Sequence, residues 1–213
     1  MPPLFWGRAT GYVLLMKRHI QFHFDPLCPW AWQGSKWMRE VIKVRDLDIE
    51  WRLFSLKLIN EGKEDPLADK HERGTPALRT LALARRERGN AAVGVLYDFL
   101  GRRVHEADEK LTPEVVEKSL IDAELDTQLL TRALEDDRTM QEVRDEHAAA
   151  VEGIGCFGVP TIVLESGRGL FGPVISTAPV GEAAGEMWDH FCYFAEQDGF
   201  FELKRERDRR PGA

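Results

Sequence analysis

The chain has few cysteines, no run of apolar residues long enough to cross a membrane, and no excess of positive charge. Its three cysteines, Cys28, Cys156 and Cys192, are spaced neither as metal ligands nor as a secreted disulfide framework. An odd, low count fits a reducing cytoplasm. The apolar stretch Gly11 to Met16 is too short for a membrane span. Only Arg8 precedes it among the basic residues, and Lys17 and Arg18 follow it, which is not the order of a secretory signal. Residues 1–17 read as a disordered or variable extension, or else as the result of an upstream start where Met16 is the natural one. The net charge of −7 argues against nucleic acid, which needs a basic surface. The basic run Lys204 to Arg210 is interrupted by Glu206 and Asp208, so residues 206–213 read as a solvated tail. There is no internal repeat and no low-complexity linker.

What the sequence does have is a regular succession of elements within a composition, 43% apolar and 31% charged, suited to a globular core. His19 to Phe24 alternates polar and apolar residues at the period of a half-buried strand. Asp25-Pro26-Leu27 is a turn, and Cys28-Pro29 opens a helix, since proline suits the first helical position. Trp30, Gly34, Trp37, Val41 and Val44 then mark one helical face. Ile49, Trp51 and Leu53 alternate again, completing a right-handed strand–helix–strand unit. From residue 65 to about 154 the patterns are helical, with helices ending near Gly89, spanning Val93 to Leu100, opening at Thr112-Pro113, and covering 126–135 and 138–154. Strand signals return at Pro160 to Leu164 and at Leu170-Phe171 around a glycine-rich turn, a hairpin. A last amphipathic helix uses Ala184, Met187, Trp188, Phe191 and Phe194, and either covers the sheet or pairs with a second copy.

This order, βαβ, a helical block, then ββα, predicts an α/β thioredoxin fold. Residues 18–62 and 155–205 form its two parts and 63–154 an all-helical insertion. A cysteine at a strand-to-helix junction has the helix dipole and unpaired N–H groups to favour its thiolate. Cys28 is therefore expected to be ionised near neutral pH and to be the catalytic nucleophile.

The segment Phe24-Asp25-Pro26-Leu27-Cys28-Pro29-Trp30-Ala31-Trp32 resembles the active-site segment of the DsbA-like thioredoxin superfamily with a helical insertion. More narrowly it resembles the actinobacterial branch that includes mycothiol-dependent nitroreductases. Gly158-Val159-Pro160-Thr161, Phe171-Gly172-Pro173-Val174, Gly181 to Gly185 with Trp188-Asp189, and Phe200 to Arg205 extend the likeness over residues 19–205. The resemblance implies a cis bond before Pro160, with the Val159 backbone facing a substrate that lies against Cys28. It also implies a low-molecular-weight thiol, mycothiol or glutathione, as co-substrate, no tightly bound cofactor, and a small-molecule or protein disulfide as partner.

Dithiol members of that family carry a second cysteine where this chain has Ala31. Only monothiol routes then remain, in which Cys28 forms an adduct that an external thiol resolves. Cys156, four residues before Pro160, is a poor candidate for the resolving role because a disulfide needs Cα atoms within about 7 Å. Cys192 reads as a packing residue.

Around Cys28, the substrate or thiol site is assigned to Pro29, Trp30, Trp32, Asp25, Val159, Pro160, Thr161 and His105. Trp30 and Trp32 suit a flat substrate or a thiol's organic tail, although Trp32 fits the core equally. Asp25 either exchanges a proton with the thiol or caps the turn before the helix. His105 aligns with a histidine of the nitroreductase-like relatives and either lines the cleft or supplies a charge to a helix C-terminus. His23, on the polar side of its strand, reads as structural.

Three functions compete. The first is a thiol-dependent oxidoreductase that reduces disulfides or a nitroaromatic compound. The second is a thiol transferase or isomerase, like kappa-class glutathione transferases and 2-hydroxychromene-2-carboxylate isomerases, which typically carry serine where Cys28 stands. The third is a non-catalytic thioredoxin-like binding module with an unreactive thiol.

Overall fold

The computed structural model describes residues 18–212; the expectations for residues 1–17 lie outside them. A four-stranded sheet of order β2-β1-β3-β4 organises the molecule, with β1 (Arg18–Phe24), β2 (Leu47–Leu53), β3 (Thr161–Val163) and β4 (Gly169–Phe171). β1 and β2 are parallel, joined by helix α1 (Pro29–Val44), with Phe22 beside Trp51 and Phe24 beside Leu53. β3 runs antiparallel to both β1 and β4, and places Ile162 beside Phe22. This is the mixed sheet of a thioredoxin fold.

Two short helices precede the main helical block: α2 (Leu56–Asn60) and α3 (Ala68–Glu72). Neither has enough residues to show a periodic face, so pattern reading passes over them. The block itself comprises α4 (Gly74–Arg88), α5 (Asn90–Gly101), α6 (Pro113–Asp122), α7 (Leu129–Glu135) and α8 (Asp137–Ala148). α5 and α8 each run on into a π-helical turn, Arg102–Glu106 and Ala149–Ile154. Finally α9 (Glu182–Ala195) packs along α1, where the Trp37 indole donates to the Ala184 carbonyl at 3.0 Å. This helix covers its own chain, with Ala184, Trp188 and Phe191 buried.

β1 is an inner strand, and this changes the meaning of its alternation. His23, expected on a polar face, is 1% exposed, and neither ring nitrogen has a hydrogen-bond partner. Burial pulls its pKa down to about 4, so it is a neutral core residue. α1 is likewise buried more widely than one stripe. Besides Gly34, Trp37 and Val41, it buries Ala31, Trp32, Gln33, Ser35 and Met38, because the sheet, α9 and the helical block all close on it. The seam between sheet and block is aromatic: Phe24 stacks on Tyr97 at 3.8 Å, and Trp51 meets both edge-on. Buried Glu146 ties the layers by accepting from the Leu53 N–H at 2.9 Å and pairing with Arg85 at 2.6 Å.

Candidate active site

Cys28 is the N-cap of α1. Its extended backbone turns the side chain back over the first helical turn, where Sγ accepts from the Ala31 N–H at 3.4 Å. Pro29 follows at the first helical position, as expected. On its other side the Cys28 thiol donates to the Val159 carbonyl at 3.3 Å. The Val159–Pro160 peptide is cis, and the Pro160 carbonyl accepts from the Gly172 N–H at 2.8 Å. Strand end, helix start and hairpin thus meet at one sulfur atom.

The charge state of that sulfur corrects the sequence expectation. Cys28 is only 7% exposed, and burial pushes its thiol up to about 11. The Ala31 and Trp30 N–H groups and the Lys70 ammonium oppose this rise, while Asp25 adds to it. Desolvation therefore outweighs the helix N-terminus, and the bond to the Val159 carbonyl suits the neutral thiol. A thiolate facing that oxygen would be repelled.

Asp25 is fully buried. One carboxylate oxygen accepts from the Leu27 N–H and the other from the Leu56 N–H, each at 2.8 Å. It pins the turn before α1 to the start of α2, which is the capping reading. Burial lifts its pKa to about 6, against those two N–H groups. Thr161 also faces inward, its hydroxyl donating to the Gly158 carbonyl at 2.8 Å. Trp32 corrects its assignment to the substrate surface. It is 1% exposed, edge-on to Tyr97 and stacked at 6.4 Å on His105, and a Cβ at Gly101 would lie 2.1 Å from its ring. The helical block closes over the indole completely, so it shapes the site from within. Trp30 is half-buried, and the Arg207 guanidinium sits 5.1 Å from its ring centre.

His105 sits in the π-helical turn after α5. Its Nε2 donates to the Pro26 carbonyl at 2.8 Å, which leaves Nδ1 unprotonated, and burial lowers its pKa to about 4. A charge at the helix end is therefore excluded; the ring is a neutral wall of a cleft of about 400 Å³. Leu27 and Pro29, on either side of Cys28 in the chain, line the same cleft together with Gln33, Lys70, Arg73, Lys110, Arg210 and Pro211. Sequence reading missed Lys70 and Arg73, which lie in and beside a five-residue helix with no motif. The tail is exposed over residues 206–210, as the charge pattern implied. Arg210 and Pro211 also border the cleft, and the Gly212 N–H donates to the Ser176 carbonyl at 2.7 Å. Cys156 is buried, and Cys28, Cys156 and Cys192 are all free thiols. Among the described residues no group of side chains is arranged to hold a metal ion, and no helix is long and apolar enough to cross a membrane.

A family model for the Rv2466c-like proteins, described as mycothiol-dependent nitroreductase, matches residues 27–205. The chain belongs to the Rv2466c-like family. Within curated proteins it is 37% identical over 194 residues to the uncharacterized protein Rv2286c of Mycobacterium tuberculosis, covering 87% of this chain and 81% of that one. Solved structures with the same fold include a probable DsbA oxidoreductase from Streptomyces coelicolor (TM-score 0.59, 19% identity, 90% of this chain and 94% of that one). Another is the cytosolic disulfide reductase DsbM of Pseudomonas aeruginosa with GSH (TM-score 0.58, 13% identity, 82% and 99%). The DsbA-like thioredoxin fold with a helical insertion is thereby established, and the Rv2466c-like membership makes the protein an oxidoreductase. The matched region includes Ala31, where a second cysteine would be needed for a dithiol centre.

Proposed function

We propose that this protein is a monothiol oxidoreductase in which Cys28 exchanges with small disulfides and an external low-molecular-weight thiol completes the cycle. The observation that carries this reading is the Cys28 sulfur at the N-cap of α1, against the Val159 carbonyl, with Ala31 and not a thiol as its helical neighbour. In the resting enzyme the proton stays on sulfur, shared with Val159. A substrate that forms strand-like hydrogen bonds with the Val159 backbone competes for that carbonyl and frees the sulfur to ionise toward the helix N-terminus. The thiolate attacks one sulfur of a disulfide R–S–S–R′, forming Cys28–S–S–R and releasing R′–S⁻, which takes up the proton. An external thiolate R″–S⁻ then attacks the R sulfur, regenerates the Cys28 thiolate and leaves R–S–S–R″. The net exchange is one thiol in and one thiol out.

The family description supports mycothiol as the external thiol and a nitroaromatic compound as an alternative oxidant. The free state of all three cysteines supports a reducing cytoplasm as the place of work. Asp25, Trp30, Val159, Pro160 and Pro29 hold or border the reacting sulfur, and His105 closes the cleft beside it.

The test is mass spectrometry of the full chain carrying Cys156→Ala and Cys192→Ala, mixed with an excess of mycothiol disulfide or glutathione disulfide. A single adduct on the Cys28 peptide, released by the matching free thiol, is the expected result. Absence of an adduct under both conditions overturns the reading in favour of a binding module.

A further inference from the structure

Most cationic side chains of this acidic chain are committed to carboxylates. Arg45 holds Asp189 and Glu182, Arg85 holds Glu146, Arg103 holds Asp122, and Arg132 holds Glu87. The four cations that line the cleft beside Cys28 are among the exceptions, and they share one cleft. Lys70, Arg73, Lys110 and Arg210 have no carboxylate within ion-pair distance among the described residues. Arg73 spends one donor on the Asp69 carbonyl of its own helix. Of the two acidic residues that also line the cleft, Glu109 is already held by Arg103 and Lys118. Asp108 alone opposes the four positive charges, and the neutral His105 adds none. The cleft therefore carries a net positive field in a protein whose overall charge is −7.

Cations gathered round one cleft without carboxylate partners repel one another and do not by themselves stabilise the fold. The geometry points to an anionic electrophile for Cys28: a small disulfide bearing at least one carboxylate that Lys70, Arg73, Lys110 and Arg210 hold. Arg210 reaches the cleft on the carboxyl-terminal strap, which is fastened by the Gly212–Ser176 hydrogen bond and by Arg207 over Trp30. The inference rests on the thiol exchange proposed above and names the charge of its substrate. The reacting bonds are those of that exchange: the Cys28 thiolate attacks one sulfur, the S–S bond breaks, and the departing thiolate takes up the proton that Cys28 released.

Paired alkylating agents isolate this effect. Iodoacetate is an anion, iodoacetamide is its neutral counterpart, and both displace iodide by the same attack. Their rates at Cys28 are measured in the full chain by peptide-resolved mass spectrometry, in the parent protein, in Lys70→Glu/Arg73→Glu and in Arg210→Glu. Any change in thiol ionisation alters both rates together and cancels in their ratio. The iodoacetate-to-iodoacetamide ratio is expected to fall about fivefold in the double variant, about twofold in Arg210→Glu, and markedly in the parent protein at roughly 0.5 M salt. Cys28 reacting with both agents at a ratio that neither charge reversal nor salt alters overturns the inference and leaves thiol exchange standing. Cys28 reacting with neither agent, and forming no mixed disulfide, overturns both.

Discussion

Cys28 and Cys156 are both buried, both free and both pushed toward the neutral thiol by desolvation. Their surroundings nevertheless differ in kind. Cys28 caps a sixteen-residue helix, touches the Val159 carbonyl and stands beside a cleft with four unpaired cations. Cys156 follows a π-helical turn and a left-handed Gly155, and its backbone N–H closes that turn on Ala150. No helix begins at it, and neither of its neighbours in the chain, Gly155 and Phe157, lines the cleft as Leu27 and Pro29 do beside Cys28. The lesson is that burial alone does not separate a reactive cysteine from a packed one. Under the proposed exchange, what separates them is a set of groups ready to stabilise the anion once substrate displaces the neutral state.

The most forceful way to break this comparison is Cys28→Ser. The variant is expected to lose mixed-disulfide formation by at least about 100-fold with its circular dichroism unchanged, since the hydroxyl keeps the cap but is a far weaker nucleophile. Retained exchange would transfer the chemistry to another group.

The wall behind Cys28 is tested by Gly101→Ala. In an ordinary helix this change stabilises by up to about 1 kcal/mol. Here the added methyl would meet the Trp32 ring at 2.1 Å, so overpacking wins and a loss of about 1–3 kcal/mol is expected in denaturant titration. Because Trp32 carries His105 on its face, the alkylation rate of Cys28 should change as well.

Acid sharpens the contrast between core and cleft. His23, His105 and His147 all have their pKa values lowered to about 4 by burial. For a base held neutral by the fold, stability is complete above its unfolded pKa of about 6.5 and is lost as pH falls toward 4. Thermal denaturation should show a loss on the order of 2 kcal/mol from His23 by pH 5, which His23→Phe removes. A Tm independent of pH between 7 and 5 would contradict the burial of these rings.

A smaller effect is expected from Ala31→Cys, which supplies the thiol this chain lacks. The lifetime of the Cys28 mixed disulfide should shorten about tenfold in the absence of external thiol, followed by time-resolved mass spectrometry. The smallest is Cys156→Ala, for which exchange at Cys28 should stay within about twofold; a larger loss would give Cys156 a resolving role.

Much of this was legible from the sequence, for reasons that differ by residue. Periodicity gave away β1, α1, β2 and the long helices, because each buries one face over enough residues to show its period. Cys28 was legible because a turn, a cysteine and a proline before a helical stripe fix the cap position. The short helices α2 and α3 were not, and with them Lys70 and Arg73 went unseen. The full burial of His23 and the choice of core over substrate surface for Trp32 were not legible for a common reason: alternation and helical stripes describe one covering layer, and these two residues lie where a second layer closes over them.

By itself the sequence determined the strand–helix–strand frame, the single candidate nucleophile and the absence of a neighbouring thiol at Ala31, since all three depend on residues adjacent in the chain. Only the tertiary structure decided that Cys28 rests as a thiol against Val159, that His105 is neutral, and that Lys70, Arg73, Lys110 and Arg210 share one cleft. Those facts depend on desolvation and on distances between segments far apart in the chain, and neither is encoded in any local pattern.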